Sequence, residues 1–407
     1  MPVERVETLV IGGGQAGLAM SYRLKQRGLN HLVLERHRIA ERWRSERWDG
    51  LKFQFPNWSV RLPDFPFPHS EPDAFATAAD IAGFIEAFAD FASSPIRCGV
   101  EVTRLQRRGG GPGFIAETAN GSIEAKNVVV ATGPYQRALV PDLLREHAVF
   151  QVHASGYRNP GQLPPGAVLV VGAGASGAQI AEELHRAGRR VFLAIGQHTR
   201  MPRRYRGHDL AWWLRALGAF HKTPEQRGPI RVNPAITGAY GGHTIDFRRF
   251  AADGITLLGR VKAARNGVLD IAPGLAGCLA NGDAGYATLI DQLDAHVAQR
   301  GLDLPDDAAA RVVLADPACV TSPLRQLDLG KECIGAVVWA TGYGLDFGWI
   351  GIPVKDADGE PVHRCGITGV PGLYFLGLQW LSKLYSAFLS GVGDDAAVLA
   401  EHIATRG

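Results

Sequence analysis

Two glycine-rich segments have the residue types and the spacing that hold phosphate groups. The first, residues 12–17 with the sequence GGGQAG, lies between an apolar run and a helical run that ends at Gly28. In such a unit Gly12 permits the tight turn, Gly14 lets a pyrophosphate approach the backbone, and Gly17 lets the helix pack on the strand. The helix N-terminus adds free N–H groups and a partial positive charge. The first segment therefore predicts a dinucleotide site.

The second segment, residues 172–177 with the sequence GAGASG, repeats this context and precedes a helical run that ends at Gly188. Seven residues past the glycine that ends each helix, the first unit has Glu35 and the second has Ile195. A carboxylate there accepts hydrogen bonds from an unphosphorylated ribose, and the second unit lacks it. A cluster of arginines follows the second unit instead, and guanidinium groups match phosphate oxygens. We therefore predict FAD at the first unit and NADPH at the second. The alternative for the arginine cluster is a solvated basic loop. The basic cluster after the second unit is Arg200, Arg203, Arg204 and Arg206.

Two further segments match each other, NVVVATGPY at 127–135 and AVVWATGYG at 336–344. Each is an apolar strand that breaks into Ala-Thr-Gly, and the pair brackets the second glycine segment. Such strands suit crossings between domains, where a small residue passes near a cofactor. We therefore predict an α/β fold with two dinucleotide-binding, Rossmann-like domains. The predicted FAD-binding domain is discontinuous, at 1–150 and 330–407, and the NADPH-binding domain at 151–329 is inserted into it, with a substrate-side insertion at about 205–250.

Length and composition limit the class of protein. A chain of 407 residues is long enough for two domains. Its 46% hydrophobic and 20% charged residues are those of an ordinary soluble globular protein. A formal charge of +3 gives no reason to expect nucleic acid or an anionic membrane as a partner. Without a signal peptide or an apolar run of about 18 residues, we expect a cytoplasmic protein with no integral membrane contact.

The cysteines and histidines argue against several kinds of site. The five cysteines are scattered without a C-x-x-C pair, which disfavours a disulfide framework, a zinc ribbon and a dithiol redox centre. The histidines show no H-x-x-x-H or H-E-x-x-H spacing. We therefore expect no metal site.

With these motifs the chain resembles the flavin-containing monooxygenase family (class B), in particular bacterial flavoproteins assigned to cation transport and the plant YUCCA-type enzymes. The resemblance covers nearly the whole chain. The family's Phe-x-Gly before its histidine is missing, because His147 and Val149 stand at those positions. The matching stretches beyond the glycine segments are Trp43-Arg44 with Trp48, LKFQFP…LPDFPFP at 51–68, His153 with Tyr157, RYRGHDLAWWL at 204–214 and SAFLSGVGDDA at 386–396.

The resemblance implies where the cofactors and the chemistry lie. Gln54 stands where the family often has an active-site asparagine, and its amide can make the same hydrogen bonds. A loop amide that caps backbone is the alternative for Gln54 and for Asn57, which are the two predicted catalytic residues. His153 and Tyr157 are expected to serve the interdomain linker, and the helix N-terminus at Gly393 to face the flavin ring. The predicted cofactor-binding residues are Gly12, Gly14, Gln15, Ala16, Gly17, Glu35, Arg36, Trp43, Arg44, Trp48, Ala131, Thr132, Gly133, Gly172, Gly174, Ala175, Ser176, Gly177, Arg200, Arg203, Ala340, Thr341, Gly342 and Gly393.

The predicted activity is NADPH- and O2-dependent oxygenation of a small organic substrate by a monomer or homodimer. The resemblance implies that NADPH reduces FAD and that a flavin hydroperoxide then oxygenates nitrogen or sulfur, or oxidatively decarboxylates an aryl 2-oxo acid. A disulfide reductase is set aside because it needs a cysteine pair. An NADPH oxidase that produces peroxide, and a non-enzymatic redox-sensing flavoprotein linked to cation transport, stay open as alternatives. Four aromatic residues either line an apolar substrate chamber or belong to the core: Trp212, Trp213, Trp380 and Tyr385.

Overall fold

The first sheet of the computed structural model has nine strands, built from residues 4–130 and 363–375. Its strand Glu4–Ile11 pairs in parallel with a neighbour on each side. Leu9 and Val10 are fully buried, as in parallel strands that are covered on both faces. Across the sheet the strands are His363–Arg364, Ile367–Thr368, Leu373–Phe375, Gly121–Val130, Glu4–Ile11, His31–Glu35 and Ile96–Cys98, while Val102–Arg107 pairs with Phe114–Thr118, which pairs with Gly121–Val130.

The second sheet has five parallel strands, built from residues 150–339. One of them, Ile334–Trp339, begins beyond residue 329, where the sequence analysis ends the inserted domain. Its Val337 and Val338 are fully buried between two strands of this sheet, so the chain leaves the second sheet after this strand rather than before it. The order is Phe150–His153, Ile334–Trp339, Ala167–Val171, Val191–Ala194 and Thr256–Leu258.

The helices that follow the two glycine segments, Gln15–Gln26 and Ala175–Arg186, have no side-chain N-cap. Their first N–H groups are therefore left to other partners. Helix Ala78–Ala92 is different, because Asp80 N–H donates to Thr77 Oγ1 at 3.0 Å and Thr77 N–H donates back to Asp80 Oδ2 at 2.8 Å. The other α-helices are Glu41–Ser45, Leu210–Ala216, Phe247–Ala252, Leu275–Arg300, Ala318–Thr321 and Val392–Arg406.

Short strands and 3-10 turns complete the fold. The structure describes residues 4–228 and 234–406. Residues 1–3, 229–233 and 407 lie outside the described residues, so the predicted insertion at 205–250 is described in part. Among the described helices, none has the length and apolar character needed to cross a membrane. The short strands are Arg61–Leu62 with Phe65–Pro66, Arg137–Ala138 with Tyr343–Gly344, Arg204–Tyr205 with His208–Asp209, and the three-stranded set Val261–Arg265, Val268–Ile271 and Gln326–Asp328. The 3-10 turns are Asn57–Ser59, Asp142–Leu144, Pro160–Gln162, Ala219–His221, Pro224–Gln226, Ala239–Gly241 and Ala308–Arg311.

The two chain segments that pass between the sheets are tied to each other. Ser155 N–H donates to His153 Nδ1 at 3.1 Å, so the proton of the neutral ring is on Nε2, which donates to the Gly342 carbonyl at 3.1 Å. Tyr157, fully buried, donates its hydroxyl to Glu183 Oε2 at 2.7 Å on the second glycine-turn helix. His153 therefore ties the two crossing segments together, and Tyr157 anchors the first of them to the helix of the second unit, in keeping with the structural role that the sequence analysis expects.

Candidate functional site

One cleft of about 1830 Å³ runs along the carboxyl ends of the parallel strands of both sheets. Gly12 and Gly14 line it from the first sheet, and Gly172 and Gly174 line it from the second. The carboxyl ends of parallel strands are where open α/β sheets bind their ligands. The two predicted nucleotide sites therefore share one cleft.

The three key glycines of the first turn meet different surroundings. A Cβ atom on Gly12, whose φ is +119°, would lie 2.5 Å from the Ala131 carbonyl oxygen. A Cβ atom on Gly17 would lie 1.8 Å from the Gly12 oxygen, but no protein atom lies within 4 Å of the Cβ position of Gly14. Gly12 and Gly17 are thus required by the protein's own packing. The space beside Gly14, at the N-terminus of helix Gln15–Gln26, fits a pyrophosphate.

The second turn repeats this arrangement. A Cβ atom on Gly172, whose φ is +106°, would lie 2.4 Å from the Ala340 carbonyl oxygen, and one on Gly177 would lie 1.8 Å from the Gly172 oxygen. The Cβ position of Gly174 has no protein atom within 4 Å. The second turn therefore fits a pyrophosphate as the first does. The repeated Ala-Thr-Gly segments now have a physical explanation, since the alanine carbonyl of each packs on the first glycine of one turn.

The residue at the end of the second strand differs between the two units, as the sequence indicates. Glu35 lies on the cleft, where its Oε2 accepts from Gly13 N–H at 2.7 Å and its Oε1 from His37 N–H at 2.8 Å. These bonds fix the carboxylate and leave further lone pairs for a ribose diol. Ile195 is buried and lines the cleft together with Gly196 and the residues that follow, so an apolar side chain stands where the first unit has a carboxylate.

The predicted phosphate-binding arginines lie inside the protein. Arg200, 8% exposed, pairs with Asp246 and Asp283, each at 2.7 Å. Arg203, 2% exposed, pairs with Asp209 at 2.6 Å. Neither arginine is among the residues that line the cleft. The sequence analysis placed both on a nucleotide, but each guanidinium is neutralised by acids distant in sequence from the second turn, because buried charges require partners.

The cations beside the second turn are two residues that the sequence analysis missed. Arg260 and Lys262 line the cleft and are exposed to solvent. The Cγ and Cδ of Arg260 lie 3.5 Å from the Cβ position of Gly196. Within residues 4–228 and 234–406, neither side chain has an ion-pair partner. Their position on the cleft is difficult to predict from the sequence, because the two residues follow strand Thr256–Leu258, which is far in sequence from the glycine turn. Arg204 and Arg206 instead bind the Gly242 carbonyl and Asp294.

The loop after the first unit supplies one wall of the cleft. Trp43 and Trp48 line it, as does Arg36. Arg44 does not, because it points to the other side of the short helix Glu41–Ser45 and pairs with Glu86 at 2.6 Å. Its place on the cleft is taken by Arg42 and Arg47, which lie on other faces of this segment.

The two predicted catalytic amides separate in the structure. Gln54 lies on the cleft, and its Nε2 is 3.5 Å from the Ile236 carbonyl oxygen, a long and weak contact. Asn57 is not on the cleft wall; its Nδ2 donates to the Glu71 carbonyl at 3.1 Å. The structure therefore gives Asn57 the loop-bracing role that was its alternative. The Gln54 amide stays available to a ligand.

The C-terminal segment reaches the cleft before its helix begins. Gly393 packs against Pro63 instead, since a Cβ atom there would lie 2.4 Å from Pro63 Cγ, and it does not line the cleft. Ala387 and Phe388 do line it. Gln15 Nε2 donates to the Ala387 carbonyl at 2.8 Å, which ties the first turn to this segment.

The predicted aromatic residues divide between core and cavity. Trp213 is buried beside Tyr205, and Trp212 stacks on His208 with ring centroids 4.0 Å apart; neither lines the cleft. Trp380 lines the cleft, and its backbone has a left-handed conformation with φ +56°. The apolar wall comes mainly from residues that the sequence analysis did not select: Phe55, Met201, Leu214, Phe220, Leu384 and Phe388.

Two of the titratable groups that line the cleft have shifted pKa values. Burial lowers the pKa of His153 below its ordinary value and raises the pKa of Tyr343, so both are neutral near pH 7. Cys278 is the one cysteine on the cleft wall among the described residues. In the part of the chain that is described, no three histidine, cysteine, aspartate or glutamate side chains could hold a metal ion.

Two Rossmann-type sheets that open a glycine turn onto one cleft define a two-nucleotide oxidoreductase. Residues 9–217 match the sequence profile of the pyridine nucleotide-disulphide oxidoreductase family, and the chain belongs to that family. An uncharacterized CzcO-like oxidoreductase of Geobacillus kaustophilus is 34% identical over 403 residues, which cover 98% of each chain. A flavin and a nicotinamide nucleotide are the cofactors that the family supports.

Two more comparisons confirm the resemblance to flavin-containing monooxygenases. The probable indole-3-pyruvate monooxygenase YUCCA3 of Arabidopsis thaliana is 30% identical over 199 residues, or 46% of this chain and 45% of that protein. The structure of the flavin-containing monooxygenase of Stenotrophomonas maltophilia superposes with a TM-score of 0.68, at 18% identity, over 99% of both chains. At that identity, the structural likeness shows the fold.

Proposed function

We propose that this protein is an NADPH- and O2-dependent flavin monooxygenase that oxygenates a small organic substrate. FAD would lie on the first glycine turn and NADPH on the second, in a domain inserted into the FAD-binding one. The observation that carries the proposal is the shared cleft, on which Gly14 and Gly174 each leave room for a pyrophosphate and an apolar wall faces both.

Bound FAD would accept a hydride from NADPH and supply the chemistry of oxygen activation. The residues of this chain would bind and orient the cofactors and would exclude water from the reacting atoms. The N–H groups of the two uncapped helices would hold the phosphates, and Glu35 the ribose of FAD. The apolar wall that includes Phe55, Phe220 and Phe388 would keep water from the reacting atoms.

The preference for NADPH over NADH rests on charge at the second unit. Ile195 replaces the acid that would repel a 2′-phosphate, and Arg260 and Lys262 lie on the adjacent cleft wall without ion-pair partners among the described residues. Both side chains can turn toward a phosphate without breaking an existing pair. In this proposal they take the role that the sequence analysis gave to Arg200 and Arg203.

The proposed reaction is N- or S-oxygenation, or oxidative decarboxylation of an aryl 2-oxo acid, a variant supported by the name of the YUCCA3 relative. Gln54 would orient the substrate, because its amide is held by one long contact only. The competing activity is an NADPH oxidase that releases peroxide. The apolar wall favours the monooxygenase, since an oxidase has no need of a substrate chamber.

The test measures three quantities in the FAD-containing protein with NADPH and isotopically labelled O2: NADPH consumed, hydrogen peroxide released and label in the product. Thioethers and tertiary amines serve as trial substrates. We expect at least one to raise NADPH consumption, lower peroxide release and gain one labelled oxygen per NADPH. Release of all the oxygen as peroxide with every substrate would favour the oxidase, and absence of NADPH oxidation would exclude both activities.

A further inference from the structure

A small cavity of about 70 Å³ adjoins the cleft behind its apolar wall. We call it the side chamber, and define it by the residues that it shares with the cleft together with Arg61, Arg215 and His221. Because the shared residues line both spaces, the side chamber lies directly beside the cleft. The shared residues are Phe53, Phe55, Phe220, Phe388 and Leu389.

The entrance to the side chamber is aromatic. The rings of Phe55 and Phe388 have centroids 5.6 Å apart, and those of Phe55 and Phe220 are 6.2 Å apart. Tyr385 continues the wall, 5.5 Å from Phe220. Rings packed at these distances support one another. They form a surface that suits the apolar body of a ligand rather than a charged one.

Two arginines add positive charge to the lining of the side chamber. Arg61 and Arg215 line it, both exposed, and neither has an ion-pair partner within residues 4–228 and 234–406. The guanidinium of Arg215 lies 5.1 Å from the centre of the Trp58 ring, which holds it in place. No aspartate or glutamate among the described residues lines the chamber.

The Asp394 carboxylate, which does not line the side chamber, is held by other groups. Asp394 accepts from Lys383 Nζ at 2.8 Å and from the Tyr385 hydroxyl at 3.0 Å. Lys383 is therefore the cation that the Asp394 carboxylate contacts, and Arg61 acts on this carboxylate at longer range. Arg61, Arg215 and His221 remain on the chamber wall to face a ligand.

We propose that the side chamber binds the carboxylate of an apolar organic acid whose body lies in the cleft. A planar guanidinium matches a carboxylate with two parallel hydrogen bonds, and the aromatic entrance takes the apolar part. This inference rests on the proposed function, because it names the substrate class of the same site. It selects organic acids over neutral sulfides and amines.

The test uses two ligands that differ in one group, an aryl methyl thioether with a carboxylate at the far end of the ring and its primary amide. Calorimetry on the FAD-containing protein gives the dissociation constants, and product analysis gives the rate of sulfoxide formation. We expect the acid to bind about tenfold or more tightly than the amide, which corresponds to one charge-assisted hydrogen bond. Arg61→Gln with Arg215→Gln should bring the acid to the level of the amide and leave the amide unchanged.

The matched control is Arg325→Gln, which changes an exposed arginine that lines neither cavity and should alter neither constant. Equal binding of acid and amide by the unchanged protein would overturn the proposal, and so would an equal loss for both ligands in the double variant. Sulfoxide from the amide but not from the bound acid would also overturn it, while leaving the proposed function intact. Selective binding of the acid with no oxygenation of either ligand would instead count against the monooxygenase.

Discussion

Gly12 and Gly14 lie two residues apart, yet an added methyl group would meet opposite surroundings at the two positions. Gly12→Ala forces a contact at 2.5 Å with the Ala131 carbonyl in a left-handed backbone, and should cost the fold about 2 kcal/mol or more. Gly14→Ala meets no protein atom and has φ −89°, so the stability of the flavin-free protein should stay equal or rise slightly.

The same pair separates folding from cofactor binding. Since the Gly14 methyl group would stand where a pyrophosphate approaches, Gly14→Ala should weaken FAD binding by roughly tenfold to a hundredfold. Urea unfolding of the flavin-free variants and titration with FAD measure the two effects. If Gly14→Ala bound FAD as tightly as the unchanged protein, the first turn would not hold the pyrophosphate.

Arg260 and Lys262 carry the prediction about coenzyme preference. Replacing both with alanine should lower kcat/KM for NADPH by roughly tenfold to a hundredfold, because charge-assisted contacts to the 2′-phosphate are lost, and should leave NADH nearly unchanged. Arg265→Ala is the matched control, an exposed arginine that lies at the end of the same strand, Val261–Arg265, and does not line the cleft. An unchanged ratio of NADPH to NADH rates in the double variant would contradict the assignment.

For Arg200 we predict an effect on stability rather than on coenzyme preference. Its guanidinium, 8% exposed, joins Asp246 to Asp283, so Arg200→Ala leaves buried carboxylates short of a partner and should cost about 3 kcal/mol of unfolding free energy. Thermal or urea unfolding checks this. A stable Arg200→Ala variant that had lost its preference for NADPH would contradict this account, because it would show that Arg200 binds the nucleotide.

At the scale of the elements, His153 links the two crossing segments and makes their stability depend on pH. Burial is the main cause that lowers the pKa of His153, and its hydrogen bond to Gly342 opposes this effect. As the pH falls below the ordinary value of 6.5, the unfolded chain takes up the proton before the folded one does. Stability is therefore unaffected by this group above that pH and is lost progressively below it.

We expect the unfolding free energy of the unchanged protein to fall faster between pH 6.5 and pH 5 than that of His153→Gln, by at most about 1.4 kcal/mol per pH unit. His69→Gln, a change of an exposed histidine, should keep the slope of the unchanged protein. Taking differences between variants removes the contributions of the carboxyl groups. Parallel slopes for the unchanged protein and His153→Gln would contradict the assigned role.

At the scale of the whole molecule, the sequence predicts those features that depend on residues close together in the chain. The two glycine turns could be identified because strand, turn and helix lie within about thirty residues of each other. The partners of Arg200 could not be predicted, since Asp246 and Asp283 reach it only through tertiary packing.

Other differences have the same origin. The side of the short helix on which Arg44 lies depends on its docking against Glu86, which no local pattern shows. The apolar wall brings together aromatic residues from three distant segments, Phe55, Phe220 and Phe388. Gly393 lies one turn beyond the residues that reach the cleft, because Pro63 fills the space beside it.

The central claim is that one cleft holds a flavin and a nicotinamide nucleotide between which a hydride passes. Rapid mixing of the FAD-containing protein with NADPH in the absence of oxygen tests this claim most directly, through the absorbance of the oxidised flavin. We predict that the absorbance is lost, with one flavin reduced per NADPH oxidised, and that Gly174→Ala slows the loss while the flavin stays bound. An absorbance that saturating NADPH leaves unchanged would contradict the account.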